Sequence, residues 1–198
     1  MKLTRRAKEV LGKLESFESE DLKTALDKLA ISREELEEHL HPPEDKPYQR
    51  KALYKDENTE LLVMNWADIE CAPHDHGDSI GWIQVVNGTT KQTVYKVKGN
   101  RLPKVLFHEY KEKGDVFFSP RKGVHKMGRK GGDPLITVHL YSPPIQGMKV
   151  YDLDACAACI VSEECGAWWP EDQSEKISEI KLRAFKKAKK KKQSSVKK

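Results

Sequence analysis

Between about residue 50 and residue 151 the chain is a succession of short β-prone runs: Leu61 to Trp66, Ile80 to Val86, Gln92 to Val97, Val105 to Tyr110, Asp115 to Ser119 and Ile136 to Tyr141. Gly, Asn, Asp and Pro separate them, with turn signals at Asn87-Gly88, Gly99-Asn100 and Gly131-Gly132-Asp133. Strand after strand at regular spacing predicts a mainly β domain, a sandwich or barrel.

Residues 1–46 have a different texture. Ala7, Val10, Leu11 and Leu14 recur at helical spacing, Ser19 can cap a segment carrying Leu22, Ala25 and Leu29, and Ser32 with Glu35 forms a capping box. Two or three short helices are expected, ended by Pro42-Pro43. Residues 47–170 then hold the β domain with its C-terminal extension. Within that extension, residues 152–170 read as a compact apolar segment packed on the outside of the barrel. Residues 171–198 form a basic tail, in which Ile177 to Lys192 can be helical and Lys189 to Lys198 read as disordered.

That tail explains the charge. The net charge is +5, but residues 176–198 carry eleven Lys/Arg and one Glu, which leaves residues 1–175 at about −5. The folded part therefore lacks an electrostatic footprint for phosphates, and no nucleic-acid partner is expected for it. No apolar run approaches the roughly 20 residues of a membrane span, so a cytoplasmic protein is expected, with no membrane association and a monomer as the default. Four cysteines among 198 residues do not make a secreted disulfide framework.

His74-Asp75-His76 puts two imidazoles on one side of an extended segment, because side chains at i and i+2 point the same way. By itself such a pair is more often an accidental surface pattern than a metal clasp. A third histidine, His125, follows a strand and a Gly-containing loop that can fold back beside the first pair. Imidazole suits several first-row metals, so the pattern alone does not choose among them.

The two segments, one running from His74 to Gly88 and the other from Gly114 through Pro120 to His125, resemble the paired motifs of cupins, which implies a jelly-roll β-barrel. The glutamate usual a few residues after the first pair is absent, with Ile80 and Gly81 at the expected places. Three neutral ligands remain. That set, with the stretches His74 to Gly81 and His139 to Pro144, resembles the cysteine dioxygenase family over roughly residues 48–145.

The resemblance implies Fe(II) on His74, His76 and His125, and O2-dependent oxidation of L-cysteine to cysteine sulfinate. It places Tyr141 with its hydroxyl toward substrate and oxygen, His139 behind it, and Tyr48 with Arg50 as a clamp for the substrate carboxylate. A relative that oxidises 3-mercaptopropionate has glutamine where Arg50 falls, so arginine favours cysteine. Gly81 stands where animal members carry a cysteine crosslinked to the tyrosine, so Tyr141 is expected to be free. The same resemblance implies a cis bond at Ser142-Pro143. Two rivals stay open: dioxygenation of another small thiol such as 3-mercaptopropionate, and a metal-binding cupin without catalysis.

Other features carry less. Cys156, Cys159 and Cys165 read either as a zinc or redox cluster or as small buried apolar groups beside Trp168 and Trp169. The Lys186 to Lys192 run reads as a localisation or anion-binding element, or as a solvated terminus. His39, His41 and His108 receive no role and are expected to be exposed.

Overall fold

The computed structural model describes residues 2–184. Three helices come first, α1 (Leu3–Leu11), α2 (Ser19–Leu29) and α3 (Arg33–Leu36). α1 buries Leu3, Ala7 and Leu11, one residue per turn on a single face. α2 buries Leu22, Ala25, Leu26 and Leu29. The Ser32–Glu35 capping box forms as expected. Ser19 does not cap: it is the first residue of α2, Glu18 takes the cap position without a side-chain bond, and the Ser19 carbonyl instead accepts the Trp82 indole N–H at 2.8 Å. Arg6 grips the Glu35 carboxylate through two bonds of 2.7 and 2.8 Å, tying α1 to α3.

The strands form two antiparallel layers. One sheet runs β1 (Tyr48–Lys55), β2 (Glu60–Trp66), β8 (Ile136–Ser142), β3 (Ile80–Asn87), β6 (Val116–Ser119) in spatial order. The other is assembled from β5 (Lys104–Glu112), β4 (Thr89–Lys96) and β7 (Val124–Lys130), and from β9 (Lys149–Asp152), β10 (Ala157–Val161) and β11 (Lys176–Lys181). His74 joins the two halves of this second layer: its backbone bridges His125 of β7 on one side and Val150 of β9 on the other. The result is a cupin-type jelly-roll barrel with N-terminal helices on one face.

The period of two along β8 explains how the layers stack. All seven of its residues are buried, and they alternate between two cores. Ile136, Val138 and Leu140 face outward into a cluster with Leu61 and Val63 of β2 and the buried leucines of α1 and α2. Thr137, His139 and Tyr141 face inward, where Tyr141 joins Leu62, Met64, Trp66, Ile83, Phe117 and Met127. Each fully buried leucine or isoleucine contributes about 1.5–3 kcal/mol, so the helices add a second apolar layer that a bare barrel would lack.

Two expectations need correction. The segment after residue 152 does not merely pack on the outside: Cys159, Val161, Cys165 and Ala167 enter the inner core with Tyr48 and Tyr141 and close one end of the barrel. The helix expected from Ile177 begins instead as strand β11, because Ile180 can pack with Leu182 and Ala158 only when that segment pairs with β10. The rest of that expected helix, with the Lys186 to Lys192 run and the tail from Lys189 to Lys198, lies outside the described residues. No helix among the described residues is long and apolar enough to cross a membrane. The Ser142-Pro143 peptide is cis.

Candidate metal centre and active site

His74, His76 and His125 come together between the two sheets, with one ring nitrogen of each lying within 4.8 Å of the others. The local fold explains why. His74 is pinned by paired backbone bonds, its N–H to the His125 carbonyl at 2.9 Å and the His125 N–H to its own carbonyl at 3.0 Å. The turn after His76 needs Gly77, at φ +62, because a Cβ there would overlap the Gln146 carbonyl. Asp75, between the two ligands, points away and accepts the Gly77 and Lys149 amides at 3.0 Å each, with burial raising its pKa. No carboxylate joins the three imidazoles among the described residues.

Hydrogen bonding fixes which nitrogen faces inward. His74 Nδ1 lies 2.9 Å from the Ala72 carbonyl and His125 Nδ1 lies 2.8 Å from Gln92 Oε1; both partners can only accept, so each Nδ1 carries the proton. Gln92 is itself oriented by its Nε2 donating to Glu109 Oε1 at 2.7 Å. His76 Nδ1 meets the Ser119 hydroxyl at 2.9 Å. With the Ser119 hydroxyl accepting from His76 Nδ1 as well, the Nε2 lone pairs are left to converge, those nitrogens of His76 and His125 only 3.4 Å apart. Lone pairs aimed at one another repel unless a cation lies between them, so the donor set fits a divalent metal. Burial lowers the pKa of His74 to about 4, and burial with the neighbouring imidazoles puts His76 and His125 well below the usual range, which keeps all three neutral as ligation requires.

A second chain of bonds ends at the same point. The Trp66 indole N–H donates to Thr137 Oγ1 at 2.8 Å, Thr137 Oγ1 lies 2.8 Å from His139 Nε2, His139 Nδ1 lies 3.0 Å from the Tyr141 hydroxyl, and that hydroxyl lies 3.1 Å from His76 Nε2. Thr137, which accepts from Trp66, can donate its own proton to His139 Nε2, and in that tautomer His139 Nδ1 donates to the Tyr141 oxygen. The Tyr141 proton is then directed at the histidine cluster. Burial raises the Tyr141 pKa well above its ordinary value, so it remains a donor. Its ring packs on Gly81, where an added Cβ would overlap the ring and the Leu140 carbonyl.

The three histidines, Tyr141, His139, Tyr48 and Arg50 all line one small cavity of about 20 Å³, walled by Met64, Trp66, Met127, Ile145 and Met148. Tyr48 and Arg50 sit at i and i+2 on β1, facing the same way as Trp66 and Met64 opposite them. The Tyr48 hydroxyl accepts the Ala167 N–H at 2.7 Å and is held protonated by burial, with its pKa raised to about 12. The Arg50 guanidinium donates to the Glu163 carbonyl on the segment that closes the barrel end. Arg50, Ile145 and Met148 also border a neighbouring cavity of about 20 Å³, so they separate the histidine chamber from it.

Every site residue expected from the sequence is thus brought to one place. Thr137, Gln92, Ser119 and Trp66 were not anticipated. For Thr137 a signal existed, since Thr137-x-His139-x-Tyr141 aligns three polar groups on one strand face at period two; Gln92 and Ser119 touch their histidines only through pairing across the barrel.

Comparison with known proteins agrees with this geometry. Residues 44–154 match the cysteine dioxygenase type I family. The chain belongs to that family. Cysteine dioxygenase type 1 of Rattus norvegicus is 25% identical over 97 residues, which is 46% of this chain and 48% of the rat protein. The Danio rerio protein of the same name is 24% identical over 98 residues, 46% of this chain and 49% of its own. This family member therefore spans about half the length of the curated relatives it matches. Among solved structures, an uncharacterised double-stranded β-helix protein of Klebsiella pneumoniae superposes with a TM-score of 0.47 at 18% identity, covering 59% of this chain and 94% of that one. An oxalate oxidase in complex with glycolate gives 0.45 at 15% identity, covering 55% and 58%.

Proposed function

We propose that the chain is an Fe(II)-dependent thiol dioxygenase that converts L-cysteine to cysteine sulfinate. The observation that carries this reading is the convergence of three Nε2 lone pairs, without a carboxylate, in a buried chamber that also holds the Tyr141 hydroxyl and the Arg50 guanidinium. Iron held by His74, His76 and His125 would supply open positions for a thiolate and for O2. The overall change balances without another reductant: the thiol and O2 give the sulfinate and one proton, sulfur losing the four electrons that oxygen gains.

The chain's own groups bind and orient. Arg50 offers a planar pair of donors to the substrate carboxylate, and the Tyr48 hydroxyl, with one lone pair engaged by Ala167, has its proton free for the same group. The Glu163 carbonyl fixes the guanidinium before substrate arrives. Tyr141 presents its proton toward the reacting sulfur and oxygen, held in direction by the chain from Trp66 through Thr137 and His139. Met64, Met127, Ile145 and Met148 keep water from the chamber.

Oxygen uptake by iron-reconstituted protein tests the reading, with cysteine, 3-mercaptopropionate and cysteamine compared side by side. Uptake with cysteine and formation of the sulfinate are expected. Equal or better turnover of the thiol without an amino group would reassign the substrate to 3-mercaptopropionate, and no uptake with any thiol would leave a metal-binding cupin.

A further inference from the structure

Glu109 of β5 and Gln92 of β4 are opposite partners in the ladder. Gln92 is buried, and it stands two residues along β4 from Val94, the partner of His125 across to β7, so the Gln92 and His125 side chains share the inward face. Three neighbouring strands thereby line up one relay. Lys111 Nζ holds one oxygen of the Glu109 carboxylate at 3.0 Å, the other oxygen accepts Gln92 Nε2 at 2.7 Å, and Gln92 Oε1 stands 2.8 Å from His125 Nδ1. An inward charge on an edge strand often does no more than keep other chains off that edge. Here its bonding gives it a more specific task.

We propose that Glu109, acting through Gln92, sets the tautomer of His125 and so leaves Nε2 of that ring unprotonated toward the histidine cluster. A primary amide donates at one end and accepts at the other, and half a turn about its last bond exchanges the two with almost no change in shape. Turned the other way, Gln92 would offer its NH2 group to His125 Nδ1, which would then have to accept, and the ring proton would move to Nε2, where it blocks ligation. A neutral partner at position 109 that both donates and accepts would serve either orientation. A carboxylate only accepts, so the turned amide would set oxygen against oxygen at the spacing now held by the hydrogen bond, and the orientation seen is the one left. His74 needs no such relay, because a backbone carbonyl, which cannot turn, faces its Nδ1. Glu109 is a positioning residue, two hydrogen bonds away from the nitrogen it serves.

The inference rests on the metal centre proposed above and not on a thiol or O2, and its first readout needs no metal. Long-range proton–nitrogen correlation spectra of the metal-free full chain, isotope-labelled at histidine, report which nitrogen of His125 carries the proton; Co(II) titration of the same preparations gives the affinity. The wild type should show Nδ1 protonated. Glu109→Gln keeps size and hydrogen bonding but suits either orientation of Gln92, so the form protonated at Nε2 should reach about half. Co(II) affinity should then fall by about twofold from the lost competent fraction alone, and by up to about tenfold where the lost charge also weakens the ring as a ligand. Gln92→Glu combined with Glu109→Gln puts the accept-only group beside His125 itself and should return both readouts to the wild type. Unchanged His74 and His139 signals show that each variant is folded. Nδ1 protonation and full affinity in Glu109→Gln would reduce Glu109 to an edge charge and overturn the proposal; so would a double variant that stays impaired, or a wild type protonated at Nε2. A wild type whose Nδ1 proton depends on Glu109 but which takes up no Co(II) would keep the tautomer assignment and remove the metal centre instead.

Discussion

At the scale of single residues, the proposed function divides the chamber between three histidines placed to hold a metal and groups placed to act on what binds there. Tyr141→Phe removes the one proton aimed at the histidine cluster without changing ring packing on Gly81, so metal content should stay constant while the turnover number falls about a hundredfold. Metal analysis and oxygen uptake on the same preparation check both halves of that statement, and a loss of metal would mean that Tyr141 serves the ligands. Arg50→Gln removes the charged fork; KM for cysteine should rise at least about tenfold while 3-mercaptopropionate, compared at equal enzyme, gains relative to it. Unchanged cysteine kinetics would remove Arg50 from the clamp. Gln92→Ala leaves His125 free to rotate and should weaken metal binding by about 10–100-fold in a titration of the metal-free protein.

At the scale of elements, β8 decides most of the architecture, since its outward face seats the helices and its inward face carries Thr137, His139 and Tyr141. Leu140→Ala should cost about 2–5 kcal/mol in denaturant unfolding while leaving the inward groups in place. Gly81→Cys should also destabilise, because its Cβ would collide with Tyr141 and the Leu140 backbone. The same strand shows what could be read in advance. Runs rich in Val, Ile and aromatic residues, such as β2, β3 and β8, were visible because burial on two faces selects those residues. β7 was not, since its sequence, Val124 to Lys130, is mostly polar with Gly128 in the middle, and that glycine is required by Glu70 packing against it. β1 and β10 were missed for similar reasons: one places Gln49, Arg50 and Lys51 in succession, and the other begins with two alanines and a cysteine, residues of little strand propensity. Histidine spacing and the tyrosine motif made the ligand set legible; the carbonyl, hydroxyl and amide behind each imidazole come from remote pairing that no local pattern encodes.

At the scale of the whole molecule, folding carries four imidazoles out of water in neutral form, with His139 shifted furthest among the printed values, to about 3, by burial. Each is protonated in the unfolded chain near pH 6.5. The folded pKa lies below the unfolded one, so their stability contribution is complete above about pH 6.5 and is lost as pH falls toward about 4, at about 1.4 kcal/mol per pH unit for each imidazole. Thermal melting of metal-free protein from about pH 7.5 to about pH 5 should show a steep fall in Tm, and a flat profile would mean that these rings are solvated. Added Fe(II) or Co(II) should raise Tm at neutral pH by mass action. One consequence belongs to the seam at His74, whose main chain stitches β7 to β9 while its ring offers a ligand. Cargo and carpentry meet in a single residue there, so loading the centre should also lock the zipper between the two halves of that layer: hydrogen–deuterium exchange of the His74 and His125 amides should slow on metal addition well before any effect reaches the helices.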